Sequence, residues 1–497
     1  MIKLIYRIES DYMSKKRMLI VTSVTLSVVT ISLGIVKLYQ TYALSNYIGT
    51  VTDTGIDVYI NDDSYASIPA NGSSNVYYML TNTNPGTVKY GVAYQTTSGV
   101  TVKVYDTSED PATGTIEEND KKYIKLHLEN KNSTNKTIEL STVLGYENGG
   151  DLVVPSGVTL VTDTYTPPPT AAEYITKLYT TASKTTVTNN SITYNTAPSV
   201  SLMNDRLGGT TTDLDGGNIR YYGASPNNYI YFNCSDYSNQ TSSTCETWRI
   251  IGVFDGKLKL IRGSQIGTYS WDNKDTSTGA ESNFGKNDWT TARLMKLLNP
   301  SDYYTTDSND NNLGQGLYYN SASGKCYSGQ NNATVDCNFT STGIKNDITR
   351  NMIAETTYNL GGWNSNTVYP NLMYEKERGT TVYTGRPTTP WTGKIALAYT
   401  SDYGYAADLN QCKDKTLYDY NNSTCTSNNW MKAIITNNGS NSGWLLTPYC
   451  STSSNVWYVY RVGYVFFNYT VYSAFGAVPV LSLSSELGIE SGGGWLK

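Results

Sequence analysis

The chain has 497 residues, enough for two to four domains, and carries 37 Lys plus Arg against 42 Asp plus Glu, a formal net charge of -5. Only 16% of residues are charged, so the basic footprint that nucleic-acid binding demands is missing, and no nucleic-acid partner is expected. A single histidine, His127, rules out any multi-histidine metal site and leaves one residue on which a His-based triad could be built.

Met18–Val36 is an uncharged run containing six Ser or Thr, flanked by Lys15-Lys16-Arg17 and Lys37. At 1.5 Å per residue it is long enough to cross a hydrocarbon core of about 30 Å. The organisation expected here is a cytoplasmic N-terminus at 1–17, a single transmembrane helix at 18–38, and everything beyond it outside the cell by the positive-inside rule. A cleaved signal peptide ending at Ala43-Leu44-Ser45 is the rival, but the apolar run exceeds the usual signal core of about 7–15 residues.

Residues 50–162 read as all-β. Ile56/Val58/Ile60, Val76/Tyr78/Leu80, Val88/Tyr90/Val92, Val100/Val102/Val104, Ile124/Leu126/Leu128 and Ile138/Leu140 alternate with polar neighbours. About seven short strands with intervening turn signals suggest an immunoglobulin-like sandwich acting as a spacer. His127 falls on the polar face of one strand and is expected to be structural.

A proline-rich linker at 163–170 follows, stiffened by Pro167-Pro168-Pro169. Thr170-Ala171-Ala172-Glu173 then matches a capping box, with Ala171, Ile175, Leu178 and Ala182 at helical spacing. From 171 to 485 the pattern is that of one large α+β domain, with a tail at 486–497. Trp248–Phe254 and Lys257–Ile261 flank Asp255-Gly256, a strong hairpin signal. Helices are expected over Asp288–Leu298, Lys345–Leu360 and Asn429–Ile435, and a strand over Lys394–Tyr399.

Six of the seven cysteines form similarly spaced local pairs: Cys234 with Cys245, Cys326 with Cys337, and Cys412 with Cys425. Zinc sites want cysteines two to four residues apart, so three disulfides are expected, each worth roughly 3 kcal/mol. Cys450 is left over and reads as a residue permitted at a tolerant surface position, with a reactive thiol or an intermolecular link as the other choices.

Asp307–Asn312 begins like a calcium loop, but Asn312 and Tyr318 stand where Gly and Glu are needed. Gly439–Gly443 has Asn441 where a nucleophile elbow needs Ser. No cofactor, metal or enzymatic activity is expected.

In Gly443–Leu483 three β runs are broken at Gly463 and at Ser473–Gly476. Alternation puts Trp457, Val459, Val465 and Val480 inward and Tyr458, Tyr460 and Phe466 outward, where aromatics would serve binding; a sheet buried on both faces is the plain alternative. The candidate ligand-binding residues of this stretch are Tyr449, Cys450, Thr452, Ser453, Asn455, Tyr458, Tyr460, Arg461, Tyr464, Phe466, Asn468, Tyr469 and Tyr472.

Trp248–Leu483, about half the chain, resembles a family of bacterial surface proteins. The phrases that carry the likeness are Glu-Thr-Trp-Arg-Ile-Ile-Gly-Val-Phe (246–254), Asn-Asp-Trp-Thr-Thr-Ala-Arg-Leu-Met-Lys-Leu-Leu-Asn (287–299), Ser-Asp-Tyr-Gly-Tyr-Ala (401–406), Gly-Trp-Leu-Leu-Thr-Pro (443–448) and Gly-Ala-Val-Pro-Val-Leu-Ser-Leu (476–483). Their order is similar to C-type-lectin-like folds of the formylglycine-generating type, which also occur in targets of diversity-generating retroelements. The resemblance implies a C-type-lectin-like ligand-binding domain whose C-terminal sheet can be diversified. Between Tyr449 and Ser485 only Trp457 lies outside the residues that NNY codons encode, as adenine-directed mutagenesis of AAY codons would leave. The function expected is a membrane-anchored extracellular binding protein, an adhesin or receptor, for a protein or glycan. A structural cell-surface protein, recognised by a self-complementary interface, and a secreted glycan-acting enzyme with two carboxylates about 5–10 Å apart are the alternatives.

Overall fold

In the computed structural model the chain divides into two compact units, 1–168 and 169–497. Residues 65–82, 86–145, 152–167, 169–237, 239–280, 282–304, 313–382, 390–413, 415–485 and 487 are described, with short backbone segments at 41–46, 49–51 and 56–58.

The described part of the first unit is two five-stranded β-sheets and one two-stranded pair, Gly49–Val51 with Ile56–Val58. Gly72–Thr81, Lys121–Asn130 and Val100–Tyr105 are the centre of one, with Thr41–Asn46 and Thr164–Tyr165 pairing parallel at its edges. Val158–Leu160, Val88–Gln95, Lys136–Gly145 and Tyr65–Ile68 form the other, and Thr113–Ile116 also pairs with Val88–Gln95. The two-residue side-chain period of a strand accounts for the core. Tyr78 and Val76 oppose Ile124 and Leu126 in register, and these meet Tyr90, Ile138 and Leu140 of the second sheet in one buried cluster. His127 does leave this core face, but it is not solvated. Its ring stacks on Tyr165 at 3.6 Å and its Nδ1 bonds Asn75 Oδ1 at 2.8 Å, so it is buried beneath the edge strand that opens the expected linker.

The second unit begins with the helix Ala171–Thr181, whose capping box is complete: Thr170 accepts from Glu173 N and Glu173 accepts from Thr170 N. It buries Ala171, Ala172, Ile175 and Tyr179. The unit's main sheet is antiparallel and runs in the order Thr185–Asn189, Ile192–Ala197, Leu202–Asn204, Ile219–Tyr221, Glu246–Phe254, Lys257–Arg262, Val480–Ser482, Ile395–Ala396, with Tyr229–Phe232 also paired to Glu246–Phe254. Asp255 and Gly256 adopt φ of 49° and 72°, the left-handed values that a two-residue hairpin turn needs. Trp248, Ile250 and Leu260 enter one core cluster and Ile251, Ile261 and Val480 another, so the sheet is covered on both faces. A charge network closes its middle: Arg220 bonds Asp205 at 2.5 Å and Asp402 at 2.8 Å, and Lys259 bonds Asp402 at 2.5 Å, all buried.

Strands account for 35% of the structure and helices for 16%, so the fold is mostly β. This overturns the α+β, C-type-lectin-like assignment for 171–485, and neither that identity nor the immunoglobulin-like one is supported. The reason is visible in the helices, which are cut short, the longest expected in this domain by sheet pairing. The helix expected over Lys345–Leu360 spans only Asp347–Met352. Beyond it Ala354 N bonds Ser482 O, and Thr356–Tyr358 pairs with Trp391–Gly393. Asp288–Leu298 is helical only over Arg293–Leu298, because its first residues turn instead, Asp288 Oδ1 accepting from Thr290 N and Asp288 O from Thr291 N. The strand expected over Lys394–Tyr399 ends at Ala396 before the helix Thr400–Tyr405. Asn429 caps Trp430–Ile435, while Pro370–Arg378, with Pro at its first turn, is a helix that the apolar pattern did not reveal.

The transmembrane helix expected at 18–38 and the calcium-like loop at 307–312 lie outside the described residues. Among the described residues no helix is long and apolar enough to cross a membrane, the longest having 11 residues where about 20 are needed. The single-pass anchor and the localisation built on it are therefore not supported. At the other end, the tail expected from 486 includes Leu487, a buried core residue whose carbonyl accepts from Ala171 N.

Candidate functional site

Gly443–Leu483 does not form a single sheet. Gly443–Pro448, Val456–Val459, Val465–Phe466 and Phe475–Gly476 join Thr268–Tyr269 in a five-stranded sheet, whereas Val480–Ser482 belongs to the main sheet. Gly443 sits where a Cβ would collide with the carbonyl of Ile435, which lets the strand press against the end of the helix Trp430–Ile435.

Both faces of Val456–Val459 are buried. Trp457 and Val459 enter one core cluster, Val456 and Tyr458 another. Tyr458 therefore does not point outward as the alternation suggested. It is 1% exposed, hydrogen-bonds Asn468, and packs on Trp444, Tyr469 and Phe475 with ring separations of 6.3, 5.5 and 5.1 Å. Burial pushes its phenol well above the ordinary range, so it stays protonated.

The outward aromatics gather one step along the hairpin. Tyr460 and Tyr464 stack at 5.0 Å across a turn closed by Gly463 N donating to Tyr460 O and Tyr460 N donating to Tyr464 O. Gly463 takes φ of 109°, a value few side chains tolerate, and its carbonyl accepts from the buried Tyr403 hydroxyl at 2.6 Å. Arg461 and Val462 stand exposed at the tip. Phe466 follows on the return strand, half-buried beside Tyr418, whose ring lies 5.2 Å from Phe466 and 5.5 Å from Tyr464. From Phe466 the rings continue inward through Phe467 at 4.7 Å to Trp457 and Tyr449.

No protein family, curated protein or solved structure matches this chain.

The remaining expected contacts fall into two groups. Asn468 and Tyr469 are exposed and Tyr472 half-buried, forming with Phe475 and the exposed Phe284 a second aromatic edge, where Phe284 meets Tyr472 at 5.3 Å. Tyr449, Thr452, Ser453 and Asn455 instead build the framework. Asn287 Nδ2 donates to the carbonyls of Tyr449, Thr452 and Asn455 at 2.7–3.0 Å, and Asn287 N donates to Ser453 O. Cys450 is buried, not at a surface, with its thiol donating to Thr381 O at 3.3 Å.

Disulfides join Cys234 to Cys245, Cys326 to Cys337 and Cys412 to Cys425. The last closes the loop that carries Tyr418. Sequence reading missed Tyr418, Phe284 and Phe475; for Tyr418 a signal existed, an aromatic residue between two paired cysteines. Chemically, the surface offers ring faces, tyrosine hydroxyls and one guanidinium. Among the described residues no group of three or more His, Cys, Asp or Glu could hold a metal ion.

Proposed function

We propose that the second unit is a binding module that engages a protein or glycan ligand through Tyr418, Tyr460, Arg461, Tyr464 and Phe466. The observation that carries this reading is the continuous set of partly exposed rings from Tyr460 through Tyr464 and Phe466 to Tyr418. Aromatic side chains supply large contact area for little lost rotamer freedom, and these rings stand on a hairpin and a disulfide-closed loop. The stacked rings suit the apolar face of a sugar or an apolar protein side chain, and Arg461 adds a charged donor at the rim.

Screening the full chain on glycan and protein arrays tests this directly. A ligand so found should bind the Tyr460→Ala/Phe466→Ala variant at least ~10-fold more weakly, about 1.4 kcal/mol or more. Unchanged affinity in the folded variant would place the site elsewhere.

A further inference from the structure

Among the described residues, the buried cations on the strands of the main sheet face carboxylates, except one on Glu246–Phe254. Arg220 and Lys259 face Asp205 and Asp402, and Arg262 faces Glu246. Arg249 is 8% exposed and has no carboxylate partner among the described residues. Its Nε donates to Asn228 Oδ1 at 2.5 Å and its Nη2 to Pro226 O at 3.1 Å, while Nη1 has no acceptor among the described residues. Asn228 is itself fixed, since its Nδ2 donates to Ile250 O at 2.7 Å. The guanidinium is held between two rings, Tyr229 at 3.9 Å and Trp430 at 4.9 Å. Trp430 is locked by its Nε1 donating to Tyr221 O. The cation is therefore rigid, largely desolvated and unneutralised, an arrangement costly to leave without a counter-ion.

Arg249 lines a concavity of about 330 Å³ together with Tyr229, Glu246, Thr247, Arg262 and Ser264. Glu246 does not cancel its charge, because both its oxygens are taken by Arg262, Nε and Nη2 each donating at 3.0 Å. Arg249, Arg262 and Glu246 thus leave one positive charge in the cavity. Burial lowers the proton affinity of Arg249, whereas at Arg262 the bonded Glu246 outweighs the same burial and raises it. The volume lies near the lower end for small-molecule sites.

We propose that this concavity binds a carboxylate carried by a small ligand, with Arg249 as the counter-ion and Tyr229 as the rim against which the ligand body rests. The site is separate from the aromatic hairpin surface, and its occupancy does not depend on that surface being used. A guanidinium with a free nitrogen suits a carboxylate better than a neutral amide of the same shape, because only the ion gains from a desolvated cation.

The test is isothermal titration of the full chain at fixed ionic strength with two acid–amide pairs. These are glucuronate against glucuronamide, and N-acetylglutamate against N-acetylglutamine. The expected result is saturable binding of at least one acid, ~10-fold or more tighter than its amide; the pair that shows it tells a sugar carboxylate from an amino-acid one. Arg249→Gln should abolish the preference for the acid. Tyr229→Ala, at a side chain more than half exposed and so tolerated by the fold, should weaken the acid several-fold. Amides binding as tightly as acids, no saturable binding of either acid up to ~20 mM, or an undiminished acid preference in folded Arg249→Gln would each overturn the proposal.

Discussion

The ring of Tyr418 lies 5.2 Å from that of Phe466, although one comes from a disulfide-closed loop and the other from the C-terminal hairpin. The loop residue completes a surface that the hairpin alone would leave half built. Tyr418 is 42% exposed, so its truncation removes contact area without opening the core. Tyr418→Ala is expected to weaken a ligand of the aromatic surface by about 1–3 kcal/mol, while changing unfolding free energy by less than about 1 kcal/mol. Titration and urea denaturation on one preparation separate the two effects.

The Cys412–Cys425 bond holds that loop. A Cys412→Ser/Cys425→Ser variant should lose about 2–4 kcal/mol of stability. It should also lose ligand affinity comparable to Tyr418→Ala. Retained affinity in the folded double variant would show that the loop is positioned by packing alone.

Tyr458 and Tyr460 stand two positions apart with opposite expected behaviour. Tyr458 is wholly buried against Trp444 and Phe475, so Tyr458→Ala should cost about 3–5 kcal/mol of stability. Tyr460 is half-buried, and Tyr460→Ala should cost no more than about 1.5 kcal/mol while acting mainly on binding. Denaturation midpoints of the two variants distinguish them, and equal losses would contradict the buried placement of Tyr458.

Asp402 links the main sheet to the helix Thr400–Tyr405. Burial by itself would raise its carboxyl, but Lys259 and Arg220 outweigh that and hold it low, at about 2. The unfolded carboxyl titrates near ~3.9, so the folded state binds this proton less readily. Its contribution is fully present above the unfolded value and is lost as pH falls through about 2. Acid titration should therefore remove roughly 2 kcal/mol over that interval. Asp402→Asn, which leaves Arg220 and Lys259 short of a counter-charge, should lose about 3–5 kcal/mol at neutral pH and flatten the acid slope.

Thr170 marks where the second unit begins. Its hydroxyl and the Glu173 carboxylate satisfy the first-turn amides reciprocally. Thr170→Ala should cost about 1 kcal/mol in the unfolding of that unit, and Thr170→Asp should restore most of it.

Local signals were legible where neighbouring residues alone supply the physics. The capping box at Thr170, the Asp255-Gly256 turn, the cysteine spacings and the alternation of Val76/Tyr78/Leu80 each correspond to a feature of the structure. Helix lengths were not legible. In Lys345–Leu360 the helical spacing rests on Ile344, Ile348 and Met352, and beyond Met352 the amides are claimed by Ser482 and by Trp391–Gly393, partners the local pattern cannot announce. Tyr458 failed for a related reason. Alternation gives two faces to a strand, but not whether something covers each, and here Trp444 and Phe475 cover the second.

By itself the sequence determined the alternating strands at the centre of the first unit, the Asp255-Gly256 turn, which cysteines are near enough to pair, and that the chain has no basic excess and only one histidine. Those properties depend on charge, composition and contacts within a few residues. Tertiary structure decided that Tyr458 is core while Tyr460 and Phe466 are half-exposed, that Tyr418 joins them, and that Arg249 is buried between Tyr229 and Trp430 with no carboxylate opposite it among the described residues. Burial and charge compensation depend on what the rest of the chain brings to a residue's open side, and that is settled only when distant strands and loops close over it.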